Sequence, residues 1–186
     1  LVGITTLTDF ALALELDPTL PERTVLVWLG GQLYDRAPDE FNLAQDPEAA
    51  ARVLNSSWRQ WIFPCADVAE QLTLTLPEAR ALLTGNGLGR FLLHRFERQY
   101  FWSFGASPSP GARLSIWDLA PFAFLADPDT ATLEECRRRR LELAPLRRGE
   151  ALAQCDPVAQ RLDRDRIFAL FADALHRHSC ERAPEF

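Results

Sequence analysis

The chain alternates between short runs of apolar or β-branched residues and longer segments in which apolar residues recur at helical spacing. That alternation is typical of βαβ units, in which a helix connects one parallel strand to the next. The apolar runs predict strands over residues 1–4, 24–29 and 58–63, and a β-hairpin of 133–144 and 150–155 around a turn at 147–149. The helical spacing predicts helices over residues 8–17, 47–55, 77–83, 87–102, 117–125 and 164–176.

Two of these elements carry specific signals. Residues 24–29 read TVLVWL, a nearly continuous apolar run that is expected of a strand buried on both faces. Asp46 and Pro47 supply an N-cap and a proline at the first helical position of the next helix. The sequence therefore predicts an α/β protein with an open, mostly parallel sheet flanked by helices.

Length and composition fit one folded domain over residues 1–186. The chain has a mass of 21.0 kDa, with 47% hydrophobic and 25% charged residues, which is close to the average of globular proteins. It contains no methionine and begins at Leu1, directly at an apolar run. We interpret the chain as processed, trimmed or a fragment, with its first strand cut near the beginning.

Charge and the length of the apolar runs disfavour two kinds of partner, nucleic acid and membranes. A net charge of -6 and a pI near 5.1 argue against nucleic acid, since phosphate binding needs a basic face. The run Arg137–Arg140 is the counter-signal, and it fits either a solvated strand face or an anion contact. No apolar stretch reaches the roughly 20 residues of a membrane span, so we expect no membrane partner.

The cysteines form no CxxC pair, which suggests reduced thiols but leaves disulfides open; they are Cys65, Cys136, Cys155 and Cys180.

The polar residues that follow the second strand are the first candidate site. In an open α/β sheet ligands bind beyond the carboxyl ends of the strands, where Gly30 and Gly31 lie. If residues 40–42 are extended, Glu40 and Asn42 share one face. A carboxylate beside an amide is a good pair for sugar hydroxyls. The alternative is a polar loop that leads into a capped helix.

Three motifs follow one another in this region: WLGG at residues 28–31, EFN at 40–42 and DPEAA at 46–50. They resemble MGG, EFN and DPEAA of the inosine-uridine preferring nucleoside hydrolases, where a helix also follows. Each motif alone is weak, and their shared order makes the resemblance more specific.

Two further segments extend the resemblance. The opening LVGITTLTDFALAL is similar to the LxxTGPLTNxALAL segment of the same family. Residues 115–120, SIWDLA, with DP at 127–128, are similar to its HDPLA and LLDP motifs. Order and approximate spacing are kept from residue 1 to about residue 130.

The resemblance implies both a reaction and roles for particular residues. It implies an open α/β sheet and hydrolysis of the N-glycosidic bond of a small nucleoside to ribose and free base, with a tightly bound Ca²⁺. Asp118 would be a catalytic calcium ligand, Ile4 would give a backbone carbonyl to the metal, and Glu40 and Asn42 would hold the ribose hydroxyls. We expect a cytoplasmic protein, and the sequence leaves open whether it forms a homo-oligomer.

The departures from the family pattern matter as well. The family's N-terminal DxDxxxDD signature, which supplies most calcium carboxylates, is absent from the sequence. We therefore expect this chain to be the C-terminal part of a nucleoside hydrolase domain and to be inactive alone. The family's asparagine ahead of EFN has no counterpart, and Tyr34 or Asp35 lies nearest. Asp9 replaces the asparagine of the opening segment.

Trp117 stands where many family members have a histidine before the metal-binding aspartate. A histidine can protonate the departing base, whereas an indole N–H donates a hydrogen bond without titrating. We therefore assign Trp117 to catalysis. Phe41, Tyr100 and Trp102 are candidates for stacking on the base, with a place in the hydrophobic core as the alternative.

Two broader alternatives stay open at this point. Asp118 could serve only as the N-cap of the helix that follows it. The whole chain could also belong to a descendant of the family that has lost catalysis and acts as a binding or structural protein.

Overall fold

The computed structural model describes residues 1–33, 37–83, 87–109 and 111–181, with side chains described to residue 178. Tyr34, Asp35 and the side chain of Cys180 lie outside the described residues. The strands are β1 (Val2–Gly3), β2 (Val25–Leu29), β3 (Arg59–Phe63), β4 (Thr73–Leu74), β5 (Leu114–Ser115), β6 (Ala131–Leu143) and β7 (Leu146–Leu162). The helices are α1 (Thr8–Leu16), α2 (Leu20–Arg23), α3 (Phe41–Ala44), α4 (Pro47–Leu54), α5 (Leu76–Leu82), α6 (Gly87–Phe104), α7 (Leu119–Ala126) and α8 (Arg164–Glu181).

Five strands form one sheet in the order β1-β2-β3-β7-β6. The pairs β1–β2, β2–β3 and β3–β7 are parallel, whereas β6 pairs with β7 in the antiparallel sense. Strands β4 and β5 make a separate antiparallel pair. This arrangement confirms the predicted α/β class with a mostly parallel sheet.

Helices cover both faces of the sheet, and β2 shows why. Its residues alternate between two hydrophobic cores: Val27 and Leu29 pack with α5, α6, α7 and α8, whereas Leu26 and Trp28 pack with α1, α3 and α4. Both sets are almost fully buried. A strand buried on both faces reads as a continuous apolar run, as residues 24–29 do.

The predicted hairpin turn at residues 147–149 is wrong. Leu143 pairs with Leu146, so the turn is Ala144-Pro145 and residues 147–149 belong to β7. Gly149 resembles a turn residue in the sequence, yet it serves the strand: a Cβ there would lie 2.0 Å from the carboxylate of Glu142. Because Gly149 has no side chain, there is room for the side chain of Glu142, which pairs with Arg147.

Strand β7 also runs further than predicted, to Leu162, and joins the parallel sheet beside β3. The basic run Arg137–Arg140 lies on β6, and Arg138 is buried there. Its guanidinium donates to Asp156 over 2.7 and 2.5 Å, and to the backbone carbonyl of Trp58 over 2.8 Å. Arg138 therefore fastens the hairpin to the beginning of β3 and does not face solvent.

Helix α4 begins as the sequence predicts. The carboxylate of Asp46 accepts from the N–H of Ala49 over 3.0 Å and from the hydroxyl of Thr8 over 2.6 Å. One side chain thus caps α4 and ties it to α1. None of the helices in the described part of the chain is long and apolar enough to cross a bilayer.

Candidate active site

Three strands end at the same edge of the sheet, because β1, β2 and β3 are parallel. Ile4 follows β1, Gly30 and Gly31 follow β2, and Cys65 comes two residues after β3. The carboxyl ends of parallel strands are where open α/β sheets bind ligands. The candidate site is built on this edge.

Both glycines after β2 are required by their surroundings. A Cβ on Gly30 would lie 2.2 Å from the indole ring of Trp28. Gly31 has a φ of 70°, a left-handed conformation that side chains with a Cβ adopt at a cost. The resulting turn aims the N–H of Gly31 at the carboxylate of Glu40, at 2.6 Å.

Glu40 is held by backbone N–H groups. Besides Gly31, its carboxylate accepts from Asn42 over 3.0 Å and from Leu43 over 3.2 Å. The residue is only 7% exposed. Glu40 therefore closes the loop after β2 and caps α3 at the same time.

The prediction that residues 40–42 are extended is wrong, because Glu40 alone is extended and Phe41 begins α3. The cap that Glu40 makes with the next two N–H groups favours a helical turn over a strand. Asn42 donates from its side-chain amide to the carbonyl of Leu29 over 3.0 Å, and Phe41 is 70% exposed. The side chain of Asn42 is thereby anchored to the end of β2.

Asp118 occupies the N-cap position of α7, but its carboxylate makes no capping hydrogen bond. Within the described residues no hydrogen bond or ion pair engages that carboxylate. Partial burial raises the pKa of Asp118 above its usual value. A carboxylate that is held near the surface without a partner is available to a ligand, and the neighbouring Trp117 is also partly exposed.

A cavity of about 230 Å³ brings most of the predicted site residues together. It is lined by Ile4, Leu29, Glu40, Phe41, Asn42, Cys65, Trp117 and Asp118. These residues come from five separate parts of the chain, so the fold and not local sequence assembles the group.

Two of the predicted base-stacking residues do not line this cavity. Tyr100 is 2% exposed in the core of the α5–α8 layer, and its hydroxyl donates to the carbonyl of Ala112 over 2.9 Å. Trp102 is 82% exposed and lies beside Arg95 and Arg98 on α6. The structure therefore leaves Phe41 and Trp117 as the aromatic side chains of the cavity.

Cys65 is the cavity residue that motif reasoning missed. Its thiol lies in the same cavity as Glu40 and Asp118, and its pKa is raised to about 12, chiefly by burial and then by the charges of these two carboxylates. The signal that could have found it is its place directly after a predicted strand, at the same edge as Gly31.

The carboxylates of the described residues do not by themselves form a metal site. No group of three or more His, Cys, Asp or Glu side chains in that part of the chain could hold a metal ion. Calcium takes six to eight oxygen ligands. Asp118 and a carbonyl of Ile4 would supply two of these oxygen ligands.

A larger cleft of about 360 Å³ lies beside β6, between residues 129–132 and 161–165. Several of its charged groups already serve the fold: Asp163 accepts from the N–H of Arg166, Asp129 pairs with Arg166, and Arg164 pairs with Glu78. The smaller cavity at the ends of β1, β2 and β3 is the better candidate because Asp118 there is unengaged within the described residues.

Fold and cavity together define a class. An open, mostly parallel sheet with a small cavity at the carboxyl ends of its strands is the arrangement of α/β proteins that bind small molecules.

The sequence profile of the inosine-uridine preferring nucleoside hydrolases matches residues 1–169, so the chain belongs to this family. It is 29% identical over 185 residues to the inosine-uridine preferring nucleoside hydrolase of Crithidia fasciculata, covering 92% of this chain and 58% of that protein. It is 37% identical over 141 residues to the non-specific ribonucleoside hydrolase RihC of Escherichia coli K12, covering 73% of this chain and 44% of that protein. The chain thus spans about half the length of these relatives.

A solved structure of a plant nucleoside hydrolase has the same fold. It superposes with a TM-score of 0.75 at 18% identity, covering 94% of this chain and 61% of the plant chain. At this level of identity the likeness establishes the architecture of the chain, in agreement with the sheet described above.

Proposed function

We propose that the protein hydrolyses the N-glycosidic bond of ribonucleosides and that the cavity at the strand ends is its active site. The observation that carries the proposal is the meeting of Glu40, Asn42, Trp117 and Asp118 in one cavity, within a chain of this family. The pair Glu40 and Asn42 lies far from the pair Trp117 and Asp118 in the sequence. The resemblance assigns Glu40, Asn42 and Asp118 to the reaction, and Trp117 stands at the position of a family histidine.

The cavity supports separate roles for its residues. In the reaction the bond between ribose C1′ and the base nitrogen breaks, the oxygen of water bonds to C1′, and the departing nitrogen takes up a proton. The transition state resembles an oxocarbenium ion, which nearby carboxylates stabilise. Glu40 and Asn42 line the cavity with acceptor and donor groups for the ribose hydroxyls, and Asp118 supplies the carboxylate without a partner among the described residues.

Trp117 is the proposed contact with the departing base. Its indole N–H donates a hydrogen bond without changing charge, so it assists the leaving group without being its acid. Phe41, which is 70% exposed at the same cavity, offers a ring face for stacking. The proton for the base then comes from another group or from solvent.

The size of the cavity fits one sugar. Its volume of about 230 Å³ is below the roughly 300 to 1,000 Å³ of pockets that enclose a drug-sized ligand. A ribose would lie beside Glu40 and Asn42, while the base would extend past Phe41 and Trp117 toward solvent.

Calcium is part of the proposal through the family resemblance. Asp118 and the carbonyl of Ile4 would be the ligands from this chain, and a bound Ca²⁺ would supply an activated water and neutralise charge. The remaining ligands would come from further polypeptide. Strand β1 is an edge strand in the described sheet, which leaves a place for another strand.

The test is the hydrolysis of inosine and uridine by the full-length gene product, with calcium present. We expect free base, measured by liquid chromatography, and an equal amount of ribose, measured as reducing sugar. Release of neither product from a panel of purine and pyrimidine ribonucleosides would refute the proposal. Residues 1–186 alone are predicted to release neither.

The second candidate is a binding or structural protein derived from the family, and Trp117 in place of histidine favours it. Calorimetry with ribose and calcium on the full-length gene product, combined with the hydrolysis assay, separates the two. Heat of binding together with products supports the enzyme. Binding without products supports the second candidate.

A further inference from the structure

The side chains that line the cavity offer few groups that could protonate a departing base. Among the described residues its lining contains no histidine, lysine, arginine or tyrosine. The lining side chains that can carry a proton at all are Glu40, Cys65 and Asp118. A proton for the leaving group would have to come from one of these three or from solvent.

Each of the three is poorly suited to that task. Glu40 is 7% exposed, and its carboxylate accepts hydrogen bonds from three backbone N–H groups. Asp118 is the carboxylate assigned to the metal in the proposed function, and a metal ligand has given up its proton. Burial raises the pKa of the Cys65 thiol, so this thiol is a weaker acid than an ordinary one. The lining is therefore poor at protonating a base.

The part of the cavity assigned to the base offers aromatic rings instead. Phe41 is 70% exposed and Trp117 is 40% exposed, and both line the cavity, so both rings are accessible to a ligand. The face of an aromatic ring attracts a cation, and tryptophan does so most strongly. Within the described lining no arginine or lysine opposes a positive charge. These surroundings suit a base that is already cationic.

The charge of the base decides whether its departure needs a proton. When the bond from ribose C1′ to a neutral purine breaks, the bonding electrons leave with the nitrogen, and the base departs as an anion unless it is protonated. A purine that is alkylated at a second ring nitrogen is cationic, so the same electron pair makes it a neutral leaving group. Water then bonds to C1′ and releases one proton to solvent, and no acid is consumed.

We propose that the cavity prefers ribonucleosides whose base carries a positive charge, such as N-alkylated purine nucleosides, over those with a neutral base. Trp117 is the specificity-determining residue: its ring faces a cationic base, and its indole N–H gives no proton to a neutral one. The inference rests on the proposed function and names its substrate class.

Guanosine and 7-methylguanosine are a matched pair of substrates, because one methyl group makes the base cationic at pH 6. With the full-length gene product and calcium, we expect kcat/KM for 7-methylguanosine to exceed that for guanosine at least about 100-fold, the smaller end of what a general acid contributes. Uncatalysed release of each base is subtracted. Equal values for the two substrates would overturn the inference and leave the proposed function standing.

Trp117→His separates the effect of the cavity from the intrinsic reactivity of the methylated base. Histidine can protonate a leaving group, so kcat for guanosine should rise at least about tenfold. The kcat for 7-methylguanosine should stay within about threefold of wild type, because its base needs no proton. A ratio of the two kcat values equal to that of wild type would overturn the inference.

The ring face is tested by KM for 7-methylguanosine. Trp117→Ala should raise it about two- to fivefold, whereas Trp117→Phe, which keeps a ring, should stay within about twofold of wild type. Trp102→Ala is the matched control, since Trp102 is 82% exposed on α6 and does not line the cavity, and its kinetics should equal those of wild type. Equal KM values for Trp117→Ala and wild type would overturn the inference. Release of base from neither nucleoside by wild type would instead refute the proposed function.

Discussion

Single residues of the cavity show how differently two carboxylates can be held. Glu40 accepts hydrogen bonds from three backbone N–H groups, whereas Asp118 makes none within the described residues and has its pKa raised by burial. The first arrangement stabilises the loop after β2. The arrangement at Asp118 keeps a charged carboxylate at a position where it does not stabilise the fold, which is typical of a residue retained for function.

Asp118→Asn should therefore stabilise the fold slightly at neutral pH. A raised pKa means that the charged form is less favourable in the folded state than in the unfolded state, so stability increases as pH falls through that pKa. Because Asp118 is partly exposed, the expected gain in Tm is at most about 2 °C at pH 7 and shrinks at acidic pH. Thermal unfolding in metal-free buffer measures it, and a lower Tm at pH 7 would contradict the account.

Gly31→Ala tests the turn that carries the N–H group bound to Glu40. The new Cβ would meet only ordinary contacts, the nearest at 3.5 Å, so the expected loss of about 1–2 kcal/mol comes from the positive φ. Urea unfolding gives the value. Gly87→Ala is the control, because nothing lies within 4 Å of its Cβ position and its φ is not positive; an equal loss in both variants would refute the explanation.

At the scale of elements, short-range signals position the helices around the site. Asp46 and Pro47 begin α4, Thr75 and Glu78 form a capping box that begins α5, and Glu40 begins α3. Each cap satisfies N–H groups that a helix leaves free at its first turn. These caps fix the ends of helices that pack on both faces of the sheet.

Asp46→Ala removes two contacts at once, the cap of α4 and the hydrogen bond from Thr8 on α1. We expect a loss of about 1–2 kcal/mol in the free energy of unfolding, at the upper part of the range for N-caps. Glu48→Ala, an exposed position in the first turn of the same helix, should change it by less than about 0.5 kcal/mol. Similar values for both variants in urea unfolding would show that the cap is not what stabilises α4.

The same scale shows what could be predicted from sequence. The strands at residues 25–29 and 59–63 and most helices were predictable because apolar runs and caps are local signals. The position of the hairpin turn was not predictable, because Gly149 in β7 is required by the side chain of Glu142 on the neighbouring strand β6. Within the site, the residues that belong to the recognised motifs were predictable from sequence. The place of Cys65 in the cavity and the burial of Tyr100 were not, because both depend on long-range packing.

At the scale of the whole molecule, a buried arginine links the hairpin to the beginning of β3 and the end of α4. Arg138 and Asp156 face each other from β6 and β7, and Arg138 also donates to carbonyls at the end of α4 and the beginning of β3. In the sequence the same arginine belonged to a basic run that could have faced an anion. Its burial instead gives it a structural role between two parts of the fold.

Arg138→Ala should destabilise the fold by about 3–5 kcal/mol, because it leaves the Asp156 carboxylate buried without its guanidinium. Arg137→Ala, one residue away and exposed, should lie within about 0.5 kcal/mol of wild type. The midpoint of urea unfolding distinguishes them. A small effect at residue 138 would mean that the hairpin is held by other contacts.

The central claim is that the cavity at the ends of β1, β2 and β3 is where a nucleoside is hydrolysed. The most direct measurement is the rate of base release from inosine by the full-length gene product and by its Asp118→Asn variant, with circular dichroism confirming that both are folded. The account predicts measurable release by wild type and a fall of at least about 100-fold in the variant, comparable to removal of one electrostatic catalytic group. Equal rates in the two proteins would contradict it.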